Sequence, residues 1–287
     1  MRQFIIDVKP DSKGLINLSG KDYRYIRQVL RLNTGDMMKI VIEGKAAYAT
    51  ICSIDESKKS IILQLCDTQN DLENESNLKT DSAAKINPDR CEFYLIQFIA
   101  KPQKMELIIR QAVEDGVSAV IPVIGEYTQK GSEKSLLDKT SSAKGRQDRI
   151  ERIIREARQQ CGSPLDMKIY EPVNLEKALE IIEDKCRQVK KENKSVVKIS
   201  LYEKKEDSVT IHQVCADASS ENKIGCAFCA VGCEGGISPD EIQLLKSSGF
   251  STVHLDVNIL RCETASLYGM AALQTTVLEG NVWHLKE

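Results

Sequence analysis

The sequence predicts an α/β fold, with a parallel sheet in the larger, C-terminal part of the chain and a small β-barrel at its start. Three observations carry that prediction. Ile224-Gly225-Cys226-Ala227-Phe228-Cys229-Ala230-Val231 is small or apolar throughout and uncharged, the pattern of a strand buried on both faces. Glu92 to Ile99 is a second apolar run. It is followed by a helical pattern on Met105, Leu107, Ile108, Ala112 and Val113, and then by the run Ala119 to Ile124. A strand, a helix and a strand in that order imply parallel pairing with a right-handed crossover. Residues 1–70 read instead as short strands between closely spaced turn signals.

The chain has 287 residues, 41% apolar and 29% charged, enough for two globular domains. No apolar run approaches a membrane span, and Met1 to Asp7 is too short and too charged for a signal peptide. No membrane partner and a cytoplasmic location are expected. The net charge of −2 means that any nucleic acid must be met by a local patch. Among the ten cysteines, Cys52, Cys66, Cys91, Cys226 and Cys229 lie in apolar surroundings. Cys226-x-x-Cys229-x-x-x-Cys233 invites a metal site, but residues three apart on a strand face opposite ways and the chain has only three histidines. Free buried thiols and no metal are the expectation.

In the first domain, strands are expected at Arg2 to Val8, Asp36 to Ile42, Ala47 to Ile54 and Ser60 to Cys66. A helix is expected from Ser19, as N-cap, to Leu32, with Ile26, Val29 and Leu30 facing the core. Lys21, Arg24, Arg27 and Arg31 recur every three or four residues on its other side, with Tyr23 and Tyr25 between them. Such a stripe is either a solvated face or a phosphate-tracking surface. Residues 71–88 are polar and read as a linker; the second domain is expected over 89–287.

In that domain, Lys101-Pro102-Gln103-Lys104 reads as the loop before the first helix, which Gly116 ends. A helix over 146–161 carries Ile150, Ile153, Ile154 and Ala157 on one face and an arginine at every third position. Those arginines suit a salt-bridged face and an RNA-facing one equally. Leu175 to Glu192 reads as an exposed charged helix, Val196 to Glu203 as a strand, and Lys204 to Ser220 as a surface helix or loop.

Two stretches near the C-terminus organise the rest. Val231-Gly232-Cys233-Glu234-Gly235-Gly236-Ile237-Ser238 runs from the buried strand into a helix start, with Ser238 as N-cap, Pro239 at the first turn and Glu241 completing a capping box. Its glycines permit a tight turn and close approach to a ligand. The spacing is neither a dinucleotide fingerprint nor a P-loop. Thr252 to Leu255 is a short strand, and Asn258-Ile259-Leu260-Arg261 leads into a helix at Glu263-Thr264-Ala265. Ligands in open α/β sheets bind at such carboxyl ends of strands.

Together these two motifs, in this order and spacing, resemble the C-terminal signature of the RsmE family of 16S rRNA uracil-N3 methyltransferases, members of the SPOUT superfamily. The likeness extends along nearly the whole chain. Val29-Leu30-Arg31 with Gly35-Asp36 resembles a stretch of the family's N-terminal domain, and Glu106, Arg110, Glu114, Gly116 and Val117 stand where its first crossover helix has its signature. There are departures. Cys233 replaces a proline, Asp256 a glycine, Cys262 a threonine and Ser163 an arginine, Tyr23 to Tyr25 stand where histidines are usual, and Glu126 to Lys130 occupies a loop where arginine is common.

The resemblance implies a PUA-like RNA-binding barrel over 1–70 and a SPOUT domain with a deep trefoil knot over 89–287. It implies S-adenosylmethionine as cofactor, a homodimer, and 16S rRNA of the small ribosomal subunit as partner. It places the cofactor against three loops, Leu201 to Glu203, Val231 to Gly236 and Leu255 to Ala265, with contacts from Leu201 and Glu203, from Val231, Gly232, Glu234, Gly235 and Gly236, and from Leu255, Ile259, Leu260, Arg261, Glu263, Thr264 and Ala265. Arg261 would stabilise charge developing on the uracil, with Glu234 or Glu263 orienting Arg261 or the cofactor. Lys21, Arg24, Arg27, Arg31, Lys101, Lys104 and Lys130 would meet RNA. A SPOUT methyltransferase with another RNA target, a non-catalytic RNA-binding relative and an α/β enzyme using a nucleotide are the rivals. The intact Gly232, Glu234, Gly235, Gly236, Arg261 and Glu263 speak against the non-catalytic one, and the missing fingerprints speak against the nucleotide enzyme.

Overall fold

The structure, a computed structural model, describes residues 4–6, 8–42, 45–66, 90–133, 136, 143–220 and 222–280. The chain divides into two compact units, Met1–Ile86 with Arg158–Asp166, and Asn87–Ala157 with Met167–Glu287. The linker expected at 71–88 lies outside the described residues, as do Arg2 and Asp7 of the first expected strand.

The first unit holds strands β1 (Phe4–Ile6), β2 (Leu15–Ser19), β3 (Met37–Ile42), β4 (Lys45–Asp55) and β5 (Ser60–Leu65), in the order β1-β3-β4-β5-β2. β1 pairs parallel with β3, and the other pairs are antiparallel. Phe4, Ile16, Leu18, Ile40, Ile51 and Leu63 are among the residues packed in its core. β2 is an addition to the sequence expectation. The Asp11 carboxylate takes the Lys13 and Leu15 N–H groups and turns the chain into an alternating strand that buries Ile16 and Leu18.

Ser19 therefore ends β2 and does not cap a helix. The cap position is Gly20, at φ 62, with no side-chain hydrogen bond. The expected single helix is a short α1 (Lys21–Arg24) that widens into a π-helical turn over Tyr25–Val29. In a π turn the bonds run to i+5, so residues three or four apart no longer share one face. Ile26 stays buried, but Val29 is 52% exposed and leaves the expected apolar stripe. The basic stripe is broken too. Lys21, Arg24 and Arg31 are exposed, whereas Arg27 donates to the Leu32 carbonyl and Asn33 Oδ1, 2.8 Å each, and pairs with Glu56 at 3.2 Å.

In the second unit the strands are β6 (Glu92–Phe98), β7 (Ala119–Ile124), β8 (Lys168–Ile169), β9 (Val173–Asn174), β10 (Ser195–Leu201), β11 (Ile224–Val231) and β12 (Ser251–Val253). They pair in the order β12-β10-β11-β6-β7-β8, with β9 also on β7, and every pair is parallel. All eight residues of β11 are buried, as its uncharged sequence implies for a central strand.

The helices are α2 (Pro102–Glu114), α3 (Ala143–Cys161), α4 (Leu175–Lys191), α5 (Ile211–Ser219), α6 (Pro239–Ser247) and α7 (Cys262–Gly280). α2 begins at Pro102, so the expected loop Lys101–Lys104 is cut short and Lys104 sits in the first helical turn. α4 is not simply an exposed helix. Leu175, Ala178, Ile182, Cys186 and Val189 form a buried stripe, with the charges on the other side. α6 has the expected capping box between Ser238 and Glu241. No described helix is long and apolar enough to cross a membrane. Seven cysteines are buried, but Cys52, expected in apolar surroundings, is exposed.

Asp115 follows α2 directly, and burial, with Glu114 beside it, pushes its carboxyl up to about 6. A folded pKa above the usual 3.8 makes the ionised group costly to folding at high pH. Its negative charge also opposes the helix dipole. Asp115→Asn is expected to raise stability by about 1–2 kcal/mol above pH 6, after allowance for solvent screening, with the gain fading below pH 4. Urea denaturation at both pH values checks this.

Candidate functional site

Three neighbouring strands, β12, β10 and β11, run parallel and end together. The segments that follow them wall one cavity of about 430 Å³. Leu201, Tyr202 and Glu203 come from the end of β10, and Val231 to Ile237 from the end of β11. Val253 to Leu255 and Val257 to Cys262 come from β12 and its following loop, Ala265 from α7 and Lys104 from α2. Of the residues singled out for a cofactor, Leu201, Glu203, Val231, Gly232, Glu234, Gly235, Gly236, Leu255, Ile259, Leu260, Arg261 and Ala265 line this cavity. Glu263 and Thr264 do not. Ile259 is 90% exposed at its edge.

The glycine turn after β11 is tight. The Cys233 carbonyl accepts the Gly236 N–H at 3.0 Å, and Gly236 has φ 80. A Cβ on Gly232 would lie 2.5 Å from the Gly236 carbonyl carbon. The need for glycine here is met inside the protein, by its own backbone, before any ligand is considered. Cys233 donates its thiol hydrogen to the Tyr127 carbonyl at 3.3 Å, giving the turn an anchor where a proline would supply stiffness. Asp256 has no left-handed backbone, so it costs no strain there.

Behind the turn sits Gln97, a fully buried polar residue in the middle of the sheet. Its Nε2 donates to the carbonyls of Phe98 and Gly232, at 2.9 and 3.2 Å, and its Oε1 accepts the Ser266 hydroxyl at 2.5 Å. One side chain thereby joins β6, the glycine turn and α7. Reading the sequence alone passed over Gln97 and Ser266; a lone glutamine in an apolar strand was the available signal.

Lys104 takes a position that differs from its expected one at an RNA surface. Its ammonium lies in the cavity wall, 3.1 Å from Glu263 Oε2 and 3.5 Å from Glu234 Oε1, with Cys262 Sγ at 3.7 Å. Glu234 also accepts the Lys101 N–H at 3.2 Å. Burial lowers the Lys104 pKa, but the bond to Glu263 and the nearby charges outweigh it, and the net direction is up. Burial likewise opposes ionisation of Glu263, yet hydrogen bonds from backbone, Lys104 and Cys262 carry it below the usual glutamate value. Burial first, and the Glu263 carboxylate second, push the Cys262 thiol up to about 12. Both glutamates pair with Lys104, and neither pairs with Arg261 in this structure. Arg261 is exposed, and its guanidinium makes no hydrogen bond or ion pair among the described residues. His254 Nδ1 is buried in the wall with no partner among them either. Tyr202, Cys233, Val257, Asn258 and Cys262 also line the cavity and lie within the three expected loops, whereas Ile237, Val253 and His254 line it from outside them.

Lys101 and Lys130 are exposed. No group of three or more His, Cys, Asp or Glu side chains is placed to hold a metal among the described residues.

Removing Lys104 leaves two carboxylates facing each other. Lys104→Met is expected to cost about 1 kcal/mol of stability at neutral pH, read by denaturant unfolding. Glu263 is depressed, so its share is present above the usual glutamate value of 4.5 and lost as pH falls through its folded value; Lys104 is raised, so its share persists to beyond 10.5. The difference between wild type and variant should therefore be full at pH 7 and shrink as pH falls below 4.5.

Residues 87–274 match a family model described as RNA methyltransferase domain. The chain is 28% identical to ribosomal RNA small subunit methyltransferase E of Aquifex aeolicus over 88% of this chain and 90% of that protein. It is 25% identical to the Bacillus subtilis protein of the same name, over 92% of each. Among solved structures, a ribosomal RNA small subunit methyltransferase E from Neisseria gonorrhoeae bound to S-adenosyl methionine has a TM-score of 0.69 at 23% identity, covering 96% of this chain and 97% of that one. That likeness is one of fold. With a parallel sheet ending in a glycine-turn cavity and a family model spanning most of the chain, the protein belongs to the RNA methyltransferase family.

Proposed function

We propose that the protein transfers the methyl group of S-adenosylmethionine to N3 of a uridine in 16S rRNA of the small ribosomal subunit. The observation that carries this reading is the cavity. Three strand ends meet in a hollow lined by a glycine turn, apolar side chains and a few polar ones, with Arg261 exposed on it and without a partner among the described residues. S-adenosylmethionine, when bound, supplies a methyl group already activated by the sulfonium charge. It carries no phosphate, and the turn has no lysine-bearing phosphate cradle. Leu201, Leu260 and Ile259 offer apolar surface to an adenine, the glycine turn offers backbone donors and acceptors, and His254 Nδ1 is a polar atom awaiting a partner.

With the leaving group activated, the protein must align the base and help N3 part with its proton. Lys104 keeps its proton, since its pKa is raised, and so is not the acceptor. The guanidinium of Arg261 stabilises negative charge spreading over N3 and the uracil carbonyls, a role open to a donor at the cavity with no partner among the described residues. A uridine inside folded RNA must leave its stack to be reached. Exposed Lys21, Arg24 and Arg31 in the first unit and Lys101 and Lys130 in the second supply phosphate contacts that set register and carry no sequence information.

The same reading takes residues 1–70 as a PUA-like barrel, 89–287 as a SPOUT domain with a trefoil knot, and the cytoplasm as the location. It also takes the active form as a homodimer. α7 supports this, since it leaves the apolar side chains of Leu267, Tyr268 and Leu278 exposed.

Arg261→Ala is expected to lower kcat roughly 10²- to 10³-fold, the loss typical for one charge-stabilising donor. The assay follows labelled methyl from S-adenosylmethionine into rRNA of unmodified small subunits and identifies the methylated nucleoside. A near wild-type rate removes Arg261 from the mechanism, and a product other than 3-methyluridine overturns the target.

A further inference from the structure

We propose that Tyr127 is a base-stacking residue for the RNA substrate, resting on the reading of the cavity as a methyl-transfer site. Tyr127 lies in the loop after β7 and is 45% exposed. Its side chain packs on Gly235. A Cβ built on that glycine would stand 2.8 Å from Tyr127 Cβ and 3.1 Å from Cγ, so the ring root and the glycine turn are in direct contact. Gly235 itself lines the cavity. The tyrosine is thus packed against a residue of the cavity wall while remaining partly exposed.

The loop is fixed from several sides. The Tyr127 carbonyl accepts the Cys233 thiol at 3.3 Å, and the Glu126 N–H donates to Glu241 Oε1 at 2.8 Å. The Gly125 N–H donates to Thr128 Oγ1 at 2.9 Å, and the Thr128 N–H to the Gly125 carbonyl at 3.1 Å. Glu241 is at the same time the capping residue of α6, so the helix that follows the glycine turn also holds the loop. An aromatic ring prepaid in this way loses little entropy when a flat partner settles on it.

A nucleobase is the flat partner the chemistry favours. Every base presents a π face, and stacking on an exposed aromatic is a general way to hold single-stranded RNA. A uridine drawn toward the cavity, or its neighbour, needs such a surface once it has left the RNA stack. Exposed Lys130, three residues on, adds a cation for the backbone.

The test uses the full-length protein saturated with S-adenosylhomocysteine and titrated with a fluorescein-labelled oligouridylate at several salt concentrations. Tyr127→Ala is expected to weaken RNA binding roughly 5- to 150-fold, while Tyr127→Phe stays within about twofold of wild type. S-adenosylhomocysteine affinity and the slope of RNA affinity against salt should not move in either variant, because stacking involves no phosphate. Equal RNA affinity for Tyr127→Ala and wild type overturns the proposal, as does a Tyr127→Phe protein as weak as Tyr127→Ala. Loss of S-adenosylhomocysteine binding in Tyr127→Ala alone overturns it in another way, making the residue a mere buttress of the glycine turn. Wild-type protein that takes up no S-adenosylhomocysteine points to failure of the cavity assignment itself.

Discussion

The hydrogen bonds of Gln97 are what the site depends on. A polar side chain at the centre of a buried sheet is tolerable only if its donors and acceptor are satisfied. Here they are spent on the Gly232 carbonyl and on Ser266. The cost of burying an amide thus fixes the distance from β6 to the glycine turn on one side and to α7 on the other. Those two elements supply Gly232 to Gly236 and Ala265 to the cavity. Had Gln97 been isoleucine, the strand would pack as well, but the turn would lose its internal reference.

Charge is divided at the cavity in a way that leaves one cation unspent. Glu234 and Glu263 would each be natural partners for Arg261, to which they are close in the motifs. Both are bound to Lys104, which comes from a different helix. The ammonium between the two carboxylates helps to hold Glu263 ionised, and the guanidinium of Arg261 is left without a partner among the described residues. An arginine that must give up an ion pair before meeting its substrate would lose part of that interaction; this one need not.

Much of this was legible in the residues. β11 could be read because eight consecutive residues carry no charge, and the start of α6 because Ser238, Pro239 and Glu241 each satisfy a different need of a helix N-terminus. Most of the cavity lining could be named because the family resemblance marks three loops, and they lie at strand ends, where parallel sheets gather ligands. The failures have physical causes. The role of Lys104 depends on partners far away in the chain, and no local spacing encodes that. The π turn at Tyr25–Val29 begins with the same apolar pattern as an α-helix, so Val29 was assigned to the core and the four basic residues to one stripe. β2 was missed because Lys13-Gly14 hid a strand of five residues behind a turn signal. Gln97 was passed over because a polar residue in an apolar run carries no hint of what it binds.

Everything proposed for the reaction rests on the cavity at the ends of β10, β11 and β12 being a cofactor site. Calorimetric titration of the purified protein with S-adenosylhomocysteine, alongside S-adenosylmethionine, addresses that directly. Saturable binding at a single site per chain, weakened when Gly232→Ala drives a methyl group into the Gly236 backbone, is the predicted result. A folded wild-type protein that releases no heat with either compound would contradict the account and leave a protein that keeps the family's fold without its cofactor.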